Sequence, residues 1–112
     1  MRLPNPDQAI VPAMKLRDYL LSHAESGGKA AFFGRLGYTV DNWERLAGDL
    51  RLYHLTADAE EVAPTKYGRK FVIPVPLTGP SGVTEIVLSV WIIRLGEDFP
   101  RFVTAYPDKG RK

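Results

Sequence analysis

Polar side chains of the types that cleave RNA without a metal ion occur on the last two predicted strands of the chain. Arg101, Thr104 and Tyr106 belong to the final strand, while Ser89 and Trp91 belong to the strand before it. Such cleavage needs a base for the 2′-hydroxyl, a cation for the phosphorane and an acid for the leaving oxygen. An aromatic side chain can also stack an unpaired base. The competing interpretation makes Trp91 and Tyr106 core residues, and Thr104 a residue that merely favours strands.

A second candidate cluster lies at a glycine-rich turn between two predicted helices. His23 follows the first helix, and Lys29 begins the second after Gly27 and Gly28. A histidine and a lysine near a helix N-terminus could act as general base and phosphate ligand. The alternative is a partly exposed histidine and a solvated lysine. His54 ends the third predicted helix, where its cation would favour the helix dipole, and we interpret it as structural.

No motif of high specificity accompanies these residues. The chain has no cysteine, which excludes disulfides and thiolate metal sites, and its two histidines disfavour a zinc site. The run Gly27-Gly28-Lys29 is too short for a phosphate-binding loop. We therefore predict neither a metal nor a cofactor. The net charge of +2, with both signs well mixed, is too small to indicate nucleic-acid binding by itself.

Helical periodicity dominates the first half of the chain and predicts helices over residues 12–22, 29–36 and 41–54. The second helix should end at Gly37, where a positive φ costs little. Asp41 and Glu44 should form the capping box of the third helix, and Asp49 should face solvent. The residues expected to face the core are Met14, Leu16, Tyr19, Leu20 and His23 in the first helix, Ala30, Phe32, Phe33 and Leu36 in the second, and Trp43, Leu46, Ala47, Leu50 and Tyr53 or His54 in the third.

Apolar runs and turns predict strands over residues 60–64, 70–78, 83–94 and 101–106, joined as an antiparallel meander. Pro74 and Pro76 remove two N–H groups from one edge of the second strand, which predicts an edge position for it. The third strand is apolar on both faces, which predicts a central position covered at least partly on both sides. In the fourth, Phe102, Thr104 and Tyr106 should share one face. Helices followed by a meander indicate an α+β fold, with two to three N-terminal helices packed on a four-stranded antiparallel sheet.

The length predicts a single domain over residues 1–112, with residues 1–10 as an extended lead-in and residues 107–112 as a frayed basic tail. The start lacks the apolar run of a signal peptide, and no stretch approaches the roughly 18 apolar residues that span a bilayer. The simplest expectation is a cytoplasmic protein without membrane contact. The sequence leaves the oligomeric state open.

Five motifs are spread over residues 15–106. They are Lys15-Leu-Arg-Asp-Tyr-Leu-Leu-Ser22, Gly28-Lys29-Ala30-x-x-Phe33-x-x-Leu36-Gly37-Tyr38, Pro76-Leu-Thr-Gly-Pro-x-Gly82, Trp91-Ile-Ile-Arg94 and Gly96-Glu-Asp-x-Pro-Arg101-Phe-Val-Thr-Ala-Tyr106. Together they resemble a family of small uncharacterised bacterial domains, over residues 1 to about 107. That family is similar to C-terminal toxin modules of contact-dependent inhibition and other polymorphic toxins.

The resemblance implies a barnase–EndoU–colicin–RelE type of fold, metal-independent cleavage of RNA or tRNA, and a small neutralising protein as partner. It implies His23 or Tyr106 as acid/base, and Lys29 and Arg101 as phosphate ligands, with Trp91 stacking a base. Lys29 matches the lysine of the family's glycine-rich turn. The matching sheet positions are Thr78, Trp91, Thr104 and Tyr106. Thr104 completes the predicted catalytic set, while Thr78 and Ser89 join Trp91 in substrate binding.

Two departures from the toxin-like pattern keep other functions open. The turn reads His23-Ala-Glu-Ser-Gly-Gly28 where toxin-like members carry His-Pro-Val-Gly, and Leu88 replaces a basic residue. A catalytically inactive protein-binding or immunity-like module is the first alternative. A hydrolase for a small substrate is the second, and it would need a deep apolar pocket that holds a perturbed acid.

Overall fold

The computed structural model describes residues 1–22 and 28–108. Three helices precede a four-stranded antiparallel sheet, which confirms the predicted α+β fold. The helices are α1 (Met14–Leu20), α2 (Gly28–Leu36) and α3 (Trp43–Asp49), the last continuing as a π-helical segment (Leu50–His54). The strands are β1 (Glu60–Thr65), β2 (Gly68–Thr78), β3 (Thr84–Arg94) and β4 (Arg101–Pro107). The lead-in is not fully extended, because it contains a 3₁₀ turn at Pro6–Gln8.

Helix α1 is wound as a π-helix, which changes the residues that it buries. The Leu21 N–H donates to the Leu16 carbonyl at 2.9 Å, an i→i+5 hydrogen bond. Leu16 and Leu20 are buried, but Met14 and Tyr19 are 69% and 62% exposed. The core stripe predicted from α-helical spacing was therefore wrong at Met14 and Tyr19, because the wider turn rotates them towards solvent.

Helix α2 buries the four predicted residues and ends at Gly37 as expected. The Gly37 N–H donates to the Gly34 carbonyl at 2.9 Å, and the Tyr38 N–H donates to the Phe33 carbonyl at 3.0 Å. With Gly37 at a φ of 100°, these two bonds form a Schellman motif. The motif turns the chain sharply towards α3.

The capping box before α3 begins two residues earlier than predicted. Thr39 and Asn42 form the capping box around a 3₁₀ turn, with the Thr39 N–H donating to Asn42 Oδ1 at 2.7 Å. The predicted Asp41–Glu44 box was wrong, because Asp41 lies inside that 3₁₀ turn. Leu46, Leu50 and His54 complete the buried stripe, and Tyr53 is exposed.

Asp49 is buried, although it was expected to face solvent. The Tyr38 hydroxyl donates to Asp49 Oδ2 at 2.6 Å, and Arg45 Nε donates to the same oxygen at 3.1 Å. Burial, and then the hydrogen bond to Asp49, raises the pKa of Tyr38 far above its ordinary value. The carboxylate is buried because these two donors satisfy it.

The strands follow chain order in the sheet, β1-β2-β3-β4. The edge position predicted for β2 was wrong, since β2 lies between β1 and β3. However, β1 pairs with β2 only between Gly68 and Val72, so Pro74 and Pro76 lie beyond the end of β1. The missing N–H groups therefore interrupt no ladder with β1. The central position of β3 is confirmed.

The two faces of the sheet differ in what they contact. One face packs in the core with the helices through side chains that include Phe71, Ile73, Leu77, Val87, Trp91 and Phe102. The register places the following residues on the opposite face, which we call the open face: Lys70, Val72, Leu88, Val90, Ile92, Arg94, Thr104 and Tyr106. Leu88 and Ile92 are half-buried there, in agreement with the partial cover predicted for β3. In the described ranges no helix is long and apolar enough to cross a bilayer.

Candidate active site

A cleft of about 400 Å³ lies where α1 and the start of α2 meet β4. Its lining residues are Met14, Lys15, Tyr19, Lys29, Val103 and Thr104. Lys29 Nζ donates a hydrogen bond to Thr104 Oγ1 at 3.1 Å. The same nitrogen lies 5.5 Å from the ring centre of Tyr19 and 5.7 Å from that of Tyr106. We call Tyr19, Lys29, Thr104 and Tyr106 the Lys29 cluster.

The Lys29 cluster holds a cation by means other than an ion pair. Within residues 1–22 and 28–108, no carboxylate forms a salt bridge with Lys29. The faces of Tyr19 and Tyr106 attract the ammonium through their ring quadrupoles. The bond to Thr104 uses one of the three ammonium donors, so two remain that can bind an anion.

A bulge in β4 puts Thr104 and Tyr106 beside Lys29. Val90 of β3 pairs with Thr104, but the next residue, Trp91, pairs with Phe102, so β4 has one extra residue here. The face predicted for this strand was wrong, because Phe102 lies in the core while Thr104 and Tyr106 lie on the open face. Without the extra residue, strict alternation would place Thr104 on the buried face of Phe102.

Arg101 stands apart from the Lys29 cluster. Its Nε and Nη2 donate to the two carboxylate oxygens of Glu97 at 2.9 Å and 2.8 Å. The guanidinium carbon also lies 5.4 Å from the ring centre of Phe99. Hydrogen bonding to Arg101 lowers the pKa of Glu97 below its usual value. The phosphate-binding role predicted for Arg101 is not supported, because Glu97 occupies its guanidinium and Arg101 does not line the cleft.

Trp91 and Ser89, which were predicted to bind substrate, are fully buried. Trp91 Nε1 donates to Ser89 Oγ at 2.8 Å, and Ser89 Oγ lies 2.7 Å from His54 Nδ1. The Trp91 ring packs edge to face on Phe102, with ring centres 5.3 Å apart. This buried polar chain leaves no surface on which a base could stack, so the core interpretation of Trp91 holds and the substrate-binding one does not.

Thr78 lies in a second cleft, of about 320 Å³. The other lining residues are Arg45, Tyr53, Pro76 and Gly79. Thr78 Oγ1 is 2.6 Å from Thr84 Oγ1, across the end of the β2–β3 hairpin. This hairpin packs on the C-terminal end of α2, where Ser81 N–H donates to the Leu36 carbonyl, whereas Lys29 lies in the first turn of that helix. Thr78 is therefore not part of the Lys29 cluster.

Three points remain: the position of His23, the role of Tyr19 and the search for metal ligands. His23 lies outside the described residues, so its acid/base role stays a prediction. Tyr19 is the member of the Lys29 cluster that the sequence did not reveal, because α-helical spacing assigned it to the core. Among the residues that the structure describes, no group of three His, Cys, Asp or Glu side chains could hold a metal ion.

Comparison with known proteins supplies the family. The family model described as a domain of unknown function, DUF6883, matches residues 2–109. The chain belongs to that family. No curated protein is significantly similar to this DUF6883 domain.

One solved structure similar to this DUF6883 domain is a chain of the contact-dependent growth inhibition toxin–immunity protein complex from Klebsiella pneumoniae 342. The TM-score is 0.70 at 22% identity, over 94% of this chain and 97% of that one. At this identity the likeness shows a shared fold. The shared fold agrees with the fold that the sequence resemblance to contact-dependent inhibition proteins implies.

Proposed function

We propose that this DUF6883 domain is a ribonuclease-type toxin domain that cleaves RNA without a metal ion, and that a small neutralising protein binds it. The observation that carries the proposal is the Lys29 ammonium, hydrogen-bonded to Thr104 at 3.1 Å and flanked by two tyrosine rings. The likeness to a chain of a toxin–immunity protein complex supports a protein partner. The motifs that include Lys29 and Tyr106 support RNA as the substrate.

In the proposed reaction, the 2′-oxygen of a ribose attacks the adjacent phosphorus and the P–O5′ bond breaks. The products are a 2′,3′-cyclic phosphate and a 5′-hydroxyl. The 2′-hydroxyl proton passes to a base, and an acid gives a proton to the departing O5′. Tyr106 and His23 are the proposed groups for these two transfers.

Lys29 has the electrostatic role in this reaction. Negative charge accumulates on the phosphorane oxygens, and a preorganised cation stabilises that charge more than it stabilises the ground state. Thr104 is a positioning residue, because its hydroxyl fixes one N–H of the ammonium. The exposed ring of Tyr19, on the same cleft, is suited to stack a base next to the scissile phosphate.

The test is cleavage of a fluorescent single-stranded RNA by purified protein in EDTA. We expect products with cyclic phosphate ends, and no cleavage where the scissile ribose is 2′-deoxy. Lys29→Met should lower kcat/KM by about 100-fold or more. Tyr106→Phe should lower kcat, and Tyr53→Phe, which removes an exposed hydroxyl outside this cleft, is the matched control.

Arg101→Ala separates this assignment from the one made on sequence alone. It should retain most activity, since Glu97 occupies Arg101 outside the cleft. Cleavage abolished by Arg101→Ala but not by Lys29→Met, in variants that remain folded, would refute the site.

A protein-binding module is the second candidate function. The matched solved chain comes from a two-protein complex, and that observation fits either of its components. Intact RNA at high protein excess would favour the binding module. The hydrolase for a small substrate has no support in the three clefts described for this chain, since none of them is lined by a carboxylate.

A further inference from the structure

A third cleft, of about 590 Å³, lies at the end of the sheet where the β1–β2 turn meets the end of β3. Its lining residues are Lys66, Tyr67, Ile92, Arg94 and Leu95. The Leu95 N–H donates to the Tyr67 carbonyl at 3.0 Å, which ties the two segments together. Tyr67 is 63% exposed, and Lys66 Nζ lies 5.2 Å from its ring centre. We call this the Tyr67 cleft.

Cations without a carboxylate partner concentrate around the Tyr67 cleft. Arg69, on the same hairpin, gives its guanidinium to Glu61 at 2.8 Å and 2.9 Å. By contrast, the salt bridges among the described residues include neither Lys66 nor Arg94. The charge of Arg94 helps to lower the pKa of Glu97, but Glu97 forms its salt bridge with Arg101. The surface of this cleft is therefore positive and aromatic.

The Tyr67 cleft and the Lys29 cluster are connected along the open face. Thr104 pairs with Val90, and Arg94 lies four residues further along β3, or about 13 Å at the strand rise. Lys70 pairs with Ile92, midway between these two positions and on the same face. A line of cations thus crosses the sheet, with exposed tyrosines at each end.

We propose that the Tyr67 cleft is a second binding site for single-stranded RNA, and that it anchors the strand whose reacting phosphate lies at Lys29. This inference rests on the proposed function. Cations that track a backbone, alternating with aromatic rings on which bases stack, are the means by which proteins bind single strands. Ile92 and the exposed Leu95 add apolar lining that is suited to the face of a base. An acidic protein would be attracted to the same cations, so the experiment must distinguish single-stranded RNA from an acidic protein.

Binding is measured by fluorescence anisotropy with a labelled single-stranded 12-mer RNA that carries 2′-O-methyl groups and cannot be cleaved. The K66Q/R94Q double variant should bind at least tenfold more weakly. In a plot of the logarithm of the binding constant against the logarithm of the salt concentration, the slope for the double variant should be shallower by about 0.7 for each lost phosphate contact. Arg69→Gln is the matched control, because it removes a paired cation from the same hairpin, and it should bind as the unchanged protein does. Equal affinity of the double variant and the unchanged protein would overturn the proposal.

Two further readouts identify the ligand and separate this inference from the proposed function. Polyglutamate of equal charge should compete poorly with the 12-mer, and equal competition would overturn RNA in favour of an acidic protein. In cleavage assays, the ratio of kcat/KM for the unmodified 12-mer to that for a dinucleotide should fall at least tenfold in the double variant. An unchanged ratio would refute the anchoring role. If the unchanged protein cleaves no RNA, the proposed function fails and the anchoring role fails with it, but the anisotropy result still decides whether the cleft binds RNA.

Discussion

The buried His54 should make this domain lose stability as the pH falls from 7 to 5. Burial lowers the pKa of His54 to about 4, and the nearby backbone of Val75 offsets only part of that shift. Its Nδ1 faces Ser89 Oγ at 2.7 Å, but no described group forms a hydrogen bond with Nε2. Protonation would therefore place a charge in the core, and the Val75 backbone would compensate only part of its desolvation. The cationic His54 expected at the helix end was wrong, because the ring is in the core and neutral.

The magnitude follows from the two pKa values. The unfolded chain binds the proton near pH 6.5 and the folded chain only near pH 4, so the unfolded state holds more protons between these values. The full stability is present above about pH 6.5, decreases as the pH falls, and levels off below about pH 4. At 1.36 kcal/mol per pKa unit, the free energy of unfolding should fall by about 2 kcal/mol between pH 7 and pH 5.

The assay is urea unfolding followed by tryptophan fluorescence at pH 7, 6 and 5. His54→Asn lowers stability at every pH because it leaves a cavity, but it should remove most of the pH dependence. His23→Asn, which removes the other of the two histidines, should keep the dependence. Glu61 and Glu97 have pKa values lowered from 4.5 by hydrogen bonds to arginine, so they titrate below this range. A stability that is flat from pH 7 to 5, or a slope lost with His23 rather than His54, would refute the reasoning.

Three substitutions test the packing around α2 and α3. Tyr38→Phe leaves the buried Asp49 carboxylate without its 2.6 Å donor, and we expect urea unfolding to show a loss of about 2 kcal/mol. An unchanged midpoint would mean that the hydroxyl is replaceable by solvent. Gly79→Ala should cost about 3 kcal/mol, because its Cβ would overlap the Leu36 carbonyl oxygen, whereas Gly34→Ala, with open space in the same helix, should gain about 0.5 kcal/mol. Equal stabilities of these two variants would contradict the contact between helix and hairpin.

The fold class and the strands could be predicted because a sheet with one buried face imposes alternation on the sequence. Even the error at Pro74 and Pro76 was one of strand order rather than of local structure. The prolines do lie where β2 lacks the neighbour β1, but the edge prediction took no account of the strand predicted over residues 60–64, which makes β2 internal. The faces of α1 could not be predicted, since a π-helical turn leaves no mark in composition and moves Met14 and Tyr19 to the surface.

The Lys29 cluster shows why the site was harder to predict than the fold. Alternation assigns a face to every residue of a strand, and one extra residue reverses the assignment for all that follow. The bulge between Phe102 and Thr104 causes that reversal in β4. The strand itself was therefore predicted correctly, while the face assigned to Thr104 and Tyr106 was not. Trp91 shows the opposite case, because the extra residue belongs to β4 and β3 keeps a regular alternation. The apolar residues around Trp91 correctly indicated a core position, and the interpretation of Trp91 as a residue that stacks a base was the one that failed.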